Sequence, residues 1–177
     1  MKKRNFSVRD MCYCAIFAAL MAVCAQIQIP AYVVSITLQT FAIFLALLTL
    51  GGFRGSVAVG LYLLLGAVGL PVFSGFRGGI GAFYMESGGF LIGFMLTSLL
   101  YWAVTAEFKP EKWGKLLTLS AAMLPCYALG IHRIFHFFSR TVTWQDYLIA
   151  FTVFLIPDAI KCALAWIISK RLKKFVK

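Results

Sequence analysis

The chain has 177 residues, 62% hydrophobic and only 13% charged, whereas a water-soluble domain carries about half apolar and a quarter charged residues; a soluble fold is excluded. At about 20 residues per spanning helix, six helices fit and leave too little chain for a separate catalytic domain. The formal charge of +11, from 17 Lys and Arg against 6 Asp and Glu, has to be explained by where the basic residues stand.

Six apolar runs are expected to span a bilayer, over residues 8–27, 36–50, 55–70, 88–105, 116–135 and 147–169. The first follows Lys2, Lys3, Arg4 and Arg9, stops at Pro30, and lacks a small-residue cleavage site, so it reads as a retained helix rather than a signal peptide. Ala15 and Ala19, overlapping Ala18 and Ala22, give it two small-xxx-small seams, which suit close helix contact either within the chain or with another membrane protein. The second and third runs meet at Gly51 and Gly52, with Arg54 just beyond, and predict a tight antiparallel hairpin.

Between Pro71 and Phe90 six of twenty residues are glycine. Irregular backbone at membrane depth is tolerated where it is buried in protein or lines a polar cavity, and the apolar residues between the glycines argue against free solvation. This third loop, which carries Arg77 and Glu86, is therefore expected to fold back over a pocket.

Lys109, Lys112 and Lys115 mark the connection after the fourth run. In the fifth, His132 and His136 stand one helical turn apart, a geometry zinc can use, but no third ligand accompanies them in sequence. The sixth contains Pro157, Asp158 and Lys161 well inside hydrocarbon, where ionisable groups are expensive and mark functional sites. Three residues apart on a helix, Asp158 and Lys161 point to one side, so they partly neutralise each other and offer one acceptor and one donor to a cavity. Five cysteines lie in apolar runs without metal-ligand spacing, as packing residues do.

With Lys170, Arg171, Lys173, Lys174 and Lys177 closing the chain, thirteen basic residues fall on the side of the termini, three (Arg77, Arg133, Arg140) on the other, and Lys161 within a span. That alternation follows the positive-inside rule and places both termini in the cytoplasm; a nucleic-acid surface would not need it. No phosphate-binding Gly-x-x-x-x-Gly-Lys-Ser/Thr loop, Gly-x-Ser-x-Gly elbow or His-Glu-x-x-His helix is present, so neither ATP hydrolysis nor a membrane hydrolase is supported. Uphill transport needs a partner or an ion gradient.

Three segments resemble the BioY family, the biotin-binding S components of energy-coupling-factor transporters. They are Ile36-Thr37-Leu38-Gln39-Thr40-Phe41-Ala42, the stretch from Leu61 through Pro71-Val72-Phe73 to Gly78-Gly79 and Gly88-Gly89, and Pro157-Asp158-Ala159-Ile160-Lys161. The resemblance implies a single integral membrane domain over residues 1–177, an all-α fold of six transmembrane helices with a glycine-rich third loop capping an extracellular-facing pocket. It also implies a cell-membrane subunit, not an enzyme, that needs no cofactor and captures biotin for ATP-driven uptake. Its partners would be a transmembrane coupling protein and two ATPase subunits, with Ala15, Ala18, Ala19 and Ala22 forming the contact surface.

For the pocket the resemblance implies Arg77, Asp158 and Lys161, with Gln39 and Tyr84 as further wall candidates. Biotin offers two ureido N–H donors, a carbonyl acceptor, apolar rings and a tail carboxylate. Asp158 suits the ureido N–H, Lys161 a ligand oxygen and Arg77 the tail, the last two being exchangeable. Met85-Glu86-Ser87 departs from the family's Gly-Pro-Thr-like run, and Leu91 stands where some members carry a basic residue. Glu86 is expected to pair with Arg77. These departures keep open a biotin precursor or another small vitamin as ligand, and beside them stands a solitary ion-coupled carrier with Asp158 as its proton site.

Overall fold

The computed structural model describes residues 6–29, 35–138 and 143–176; Lys2, Lys3, Arg4, Pro30, Arg140 and Lys177 lie outside them. Six α-helices occupy the described residues: α1 (Val8–Gln26), α2 (Gln39–Leu50), α3 (Gly52–Ala67), α4 (Gly88–Glu107), α5 (Lys112–Phe137) and α6 (Trp144–Val176). Two short strands, β1 (Gln28–Ile29) and β2 (Ile36–Thr37), pair antiparallel, and a 3-10 turn covers Ile80–Tyr84 in the third loop.

Local chemistry sets the ends. At the start of α1 the Ser7 side chain accepts from a first-turn backbone N–H while Asp10 accepts from the Ser7 backbone N–H, a reciprocal capping box. The second helix begins at Gln39 and not at residue 36, because Ile36 and Thr37 take extended backbone against Ile29 and Gln28; both are β-branched, which suits a strand. Between α2 and α3 the chain reverses at Gly51, whose φ of 86° lies in the left-handed region that glycine adopts without penalty.

Among the described residues four helices are long and apolar enough to cross a membrane: Val8–Gln26, Gly88–Glu107, Trp113–Phe137 and Trp144–Phe175. All six expected helices are present; α2 is shorter than its apolar run, and α2 and α3, with 12 and 16 residues, reach about 18 and 24 Å at 1.5 Å per residue. The reason is position: eleven of the twelve α2 residues are buried, as an all-round apolar helix in the centre of a bundle should be. Helix α2 packs on α6, α1 and α3, so protein rather than lipid surrounds it.

The longest shared interface is between α4 and α5. Gly93 makes it close, since a Cβ there would stand 2.6 Å from Cys126 Sγ. The chain ends meet at one end of the bundle, where Arg9 Nη2 and Tyr13 OH donate to Phe175 O at 2.8 and 2.9 Å. At that same end Arg54, just after the α2–α3 turn, pairs with Asp10 at 3.1 Å.

Of the four alanines on α1, Ala18 is buried in the core, Ala15 and Ala19 are exposed, and Ala22 is intermediate. One seam therefore divides: Ala18 packs within the chain, and the face left outside runs through Ala15, Ala19 and part of Ala22.

Candidate functional site

A cavity of about 250 Å³ lies at the end of the bundle away from the chain termini. Its walls come from both strands, the N-terminal ends of α2 and α4, the middles of α5 and α6, and the third loop.

Asp158 forms its polar floor and is only 5% exposed. Its Oδ1 accepts from Thr40 Oγ1 and from Lys161 Nζ, each at 2.7 Å, and its Oδ2 accepts from Tyr127 OH at 2.9 Å. Lys161 Nζ also donates to Thr37 O at 2.7 Å and to Thr40 Oγ1 at 3.0 Å. The ammonium thus uses its three protons on three protein acceptors, while the carboxylate, with room for about four hydrogen bonds, keeps one position free. A buried pair in hydrocarbon survives only with its remaining valences satisfied, and here α2, α5, α6 and β2 all contribute to satisfying them.

Gln39 supplies the opposite condition. It is buried at the start of α2, lines the cavity, and its Nε2 makes no well-formed hydrogen bond, the Tyr62 hydroxyl, which donates to Val72 O, being a weak neighbour. A buried donor left unmade costs about 1–3 kcal/mol, so this amide is an opening for a ligand acceptor. Apolar wall is provided by Phe73, Phe90, Leu91, Phe94, Met123 and Phe154.

The third loop closes over this floor and is stitched down by glutamines. Gln26 Nε2 donates to Phe73 O at 3.1 Å, Gln26 Oε1 accepts from Phe76 N at 2.9 Å, and Ser74 Oγ donates to Gln28 Oε1 at 2.7 Å. Phe73 and Arg77 bridge each other through their backbones, with Gly75 and Phe76 at positive φ between them. That small turn points Arg77 to the cavity rim, where its guanidinium pairs with Glu86. Burial pushes the Glu86 carboxyl up, but the hydrogen bond and charge of Arg77 outweigh it and hold the group below its ordinary value.

Arg77, Asp158, Lys161 and Gln39 come together around one cavity. Tyr84 does not: it lies 69% exposed outside the lining, its carbonyl accepting from Arg133 Nη2 at 2.6 Å, because the 3-10 turn rotates its ring outward. Thr40 and Tyr127 were not singled out from sequence, although both bond directly to Asp158. Thr40 carried a signal, as a hydroxyl one residue from Gln39 at the mouth of an apolar helix; Tyr127, one aromatic among many, carried none. Among the described residues, no third His, Cys, Asp or Glu joins His132 and His136 in a metal-holding group.

Known proteins resemble the chain over nearly its whole length. The family model described as BioY family matches residues 1–177. The chain is 37% identical over 167 residues to the biotin transporter BioY of Thermotoga maritima, covering 94% of this chain and 97% of that one. It is 32% identical over 165 residues to the probable biotin transporter BioY of Pyrococcus horikoshii, covering 93% and 96%. Among solved structures it resembles the S-component for biotin from an ECF-type ABC transporter, crystallised at 2.1 Å, with a TM-score of 0.82, 28% identity, and 98% and 95% of the two chains covered.

Proposed function

The chain belongs to the BioY family, and from that premise we propose that it is the membrane-embedded, substrate-binding subunit that captures biotin for uptake by an ECF-type transporter. Its work is binding and not catalysis, in keeping with relatives named as transporters. The observation that carries the reading is the cavity floor: one buried carboxylate with a free acceptor position beside an unpartnered amide donor.

Biotin's ureido group matches that pair. One ureido N–H donates to Asp158, and the ureido carbonyl accepts from Gln39 Nε2. The fused rings lie against Phe90, Phe94 and Phe154. Lys161, with three acceptors already engaged, acts by holding Asp158 and Thr40 in place. The tail carboxylate then falls to Arg77, whose guanidinium has five donors and sits at the rim beside Glu86.

The chain forms a single membrane domain with both termini in the cytoplasm and the cavity facing outward. In support, α1 and α6 meet at the end that carries Arg9, Arg54, Lys115 and Lys173, and the cavity lies at the other ends of α2 and α4. The exposed alanine face of α1, through Ala15 and Ala19, suits the coupling protein of a module whose two ATPases supply the energy; Ala18 is buried and packs within the chain. Co-purification with such an ATPase pair tests that assembly.

Isothermal calorimetry on the purified chain tests the ligand. Tight biotin binding, lost in Asp158→Asn and weakened in Gln39→Leu, is expected; folded protein that ignores biotin overturns the reading. Glu86 and Leu91, where the loop departs from the family's pattern, leave room for a second ligand, a biotin precursor or another small vitamin. Mass spectrometry of ligand retained through purification separates the two.

A further inference from the structure

The terminal end of the bundle holds a second cavity, of about 410 Å³, between the α2–α3 turn, the last turns of α4 and α6, and the first turn of α5. It is lined by Arg54, Lys109, Lys115 and Lys173 and by no carboxylate. Arg54 is engaged by Asp10 at 3.1 Å. Among the described residues, no carboxylate stands within ion-pairing distance of the three lysines. Helix pairing does not require cations around one space, and like charges held together without a counterion repel.

A second, uncharged feature points the same way. Thr49 lines this cavity, is 6% exposed, and its Oγ1 is buried with no hydrogen-bond partner. A helical threonine ordinarily satisfies its hydroxyl on a carbonyl one turn back. Thr105, across the cavity, does this by donating to Tyr101 O at 2.7 Å. Beside Thr49 the N-terminus of α3 begins at Gly52, where first-turn amides have no acceptor within the helix. Cations, an unused hydroxyl and a helix N-terminus are the donor set that an oxyanion with several acceptor oxygens requires.

The depth is that of headgroups. Trp102 packs on Phe53 with ring centroids 5.1 Å apart, and Trp113 on Trp166 at 5.0 Å, all on segments flanking the cavity. Tryptophan collects at the membrane interface, where the phosphodiester of a lipid and phosphate in solution are both within reach.

We propose that this cavity binds a phosphate group, held by Lys109, Lys115 and Lys173 with Thr49 as a neutral donor. The site is separate from the biotin cavity and does not depend on what that cavity takes.

Native mass spectrometry of the protein released from vesicles of equal phosphatidylglycerol and phosphatidylcholine tests the proposal. Phosphatidylglycerol is expected to be retained in excess. Lys115→Gln with Lys173→Gln lowers retention by roughly fivefold for each lysine, whereas Arg171→Gln with Lys174→Gln, exposed charges of the same helix outside the cavity, leaves it unchanged. Thr49→Val weakens retention by about fivefold without altering charge, and carries the test if the double lysine variant fails to fold, as judged by its thermal unfolding in detergent. In vesicles of phosphatidylcholine alone, titration with inorganic phosphate reports the other source: binding that depends on the same lysines and on Thr49, without phosphatidylglycerol enrichment, assigns the site to the free ion. Retention equal in both pairs of charge variants and in Thr49→Val, with no lysine-dependent binding of inorganic phosphate, overturns the proposal.

Discussion

Asp158 with Lys161 and Glu86 with Arg77 face the same cavity, yet their surroundings differ sharply. The side chains of the first pair are 6% and 12% exposed, those of the second 20% and 45%. Around the deep pair Thr37, Thr40 and Tyr127 occupy nearly every valence. Around the rim pair the partners are Met85 and solvent. Desolvation fixes the first in one arrangement, since any rearrangement strands a charge in hydrocarbon; the second can open at little cost, because water replaces what it loses. On the proposed reading the deep pair sets where the ligand's polar head rests, and the rim pair sets access.

The largest effect that separates them comes from breaking the deep pair. Asp158→Ala or Lys161→Met leaves one buried charge alone and should destabilise the chain by about 3–5 kcal/mol, with biotin binding lost. Thermal unfolding in detergent measures the first and calorimetry the second. The double variant Asp158→Leu with Lys161→Met should recover most of the stability and none of the binding. If either single variant unfolds within a degree or so of the parent, the deep pair is no more constrained than the rim pair and the contrast fails.

Two smaller changes sharpen the account of what holds Asp158 and what remains for a ligand. Tyr127→Phe deletes one of the carboxylate's three donors and should cost about 1.5–3 kcal/mol, the range for hydrogen bonds to charged groups. Gln39→Leu should do the reverse for the empty protein: its amide donor is buried and unpartnered, so replacing it is neutral or stabilising. The same substitution should weaken biotin binding about tenfold, as the loss of roughly one hydrogen bond does. Raised unfolding temperature together with weaker binding in one variant is the signature of a donor reserved for ligand.

These residues also differ in how far sequence alone specifies them. Composition and charge placement were enough for six helices, because a bilayer permits so few ways of satisfying backbone polar groups. Asp158 and Lys161 were legible since ionisable groups are so rare in the spans, and Arg77 since it sits in a run of glycine. The shortness of α2 was not legible: an apolar run looks the same whether it meets lipid or other helices, and the extended backbone at Ile36 and Thr37 depends on Gln28 and Ile29. Tyr127 lay hidden because it meets Asp158 from another helix, 31 positions away. Tyr84 was misplaced for the converse reason, as a local glycine-rich context does not reveal which way a 3-10 turn directs its rings.

The rim pair gives the smallest effect and the one that depends on pH. Arg77 holds the Glu86 carboxyl below its ordinary value in spite of the opposing push from burial. A depressed carboxylate contributes its stabilisation fully above its unfolded value, about pH 4.3, and loses it as pH falls through the lower folded value. Between pH 5 and 8 the rim contact should therefore be constant, and below pH 4 it should release. Hydrogen exchange at the loop amides from Phe73 to Glu86 reads this directly: faster exchange on acidification in the parent, and exchange already fast and flat with pH in Glu86→Gln. The step should be small, about 0.2–1 kcal/mol, as for other solvent-accessible pairs, and Arg77→Gln should remove it as well. Loss of the Arg77 cation should in addition weaken binding of the carboxylate tail, which Glu86→Gln should not; the rim's two partners are thus separable, one closing the loop only, the other closing it and holding ligand. Should Glu86→Gln lower the unfolding temperature as much as Tyr127→Phe does, the rim is as rigid as the floor, and the division between a fixed base and a movable edge disappears.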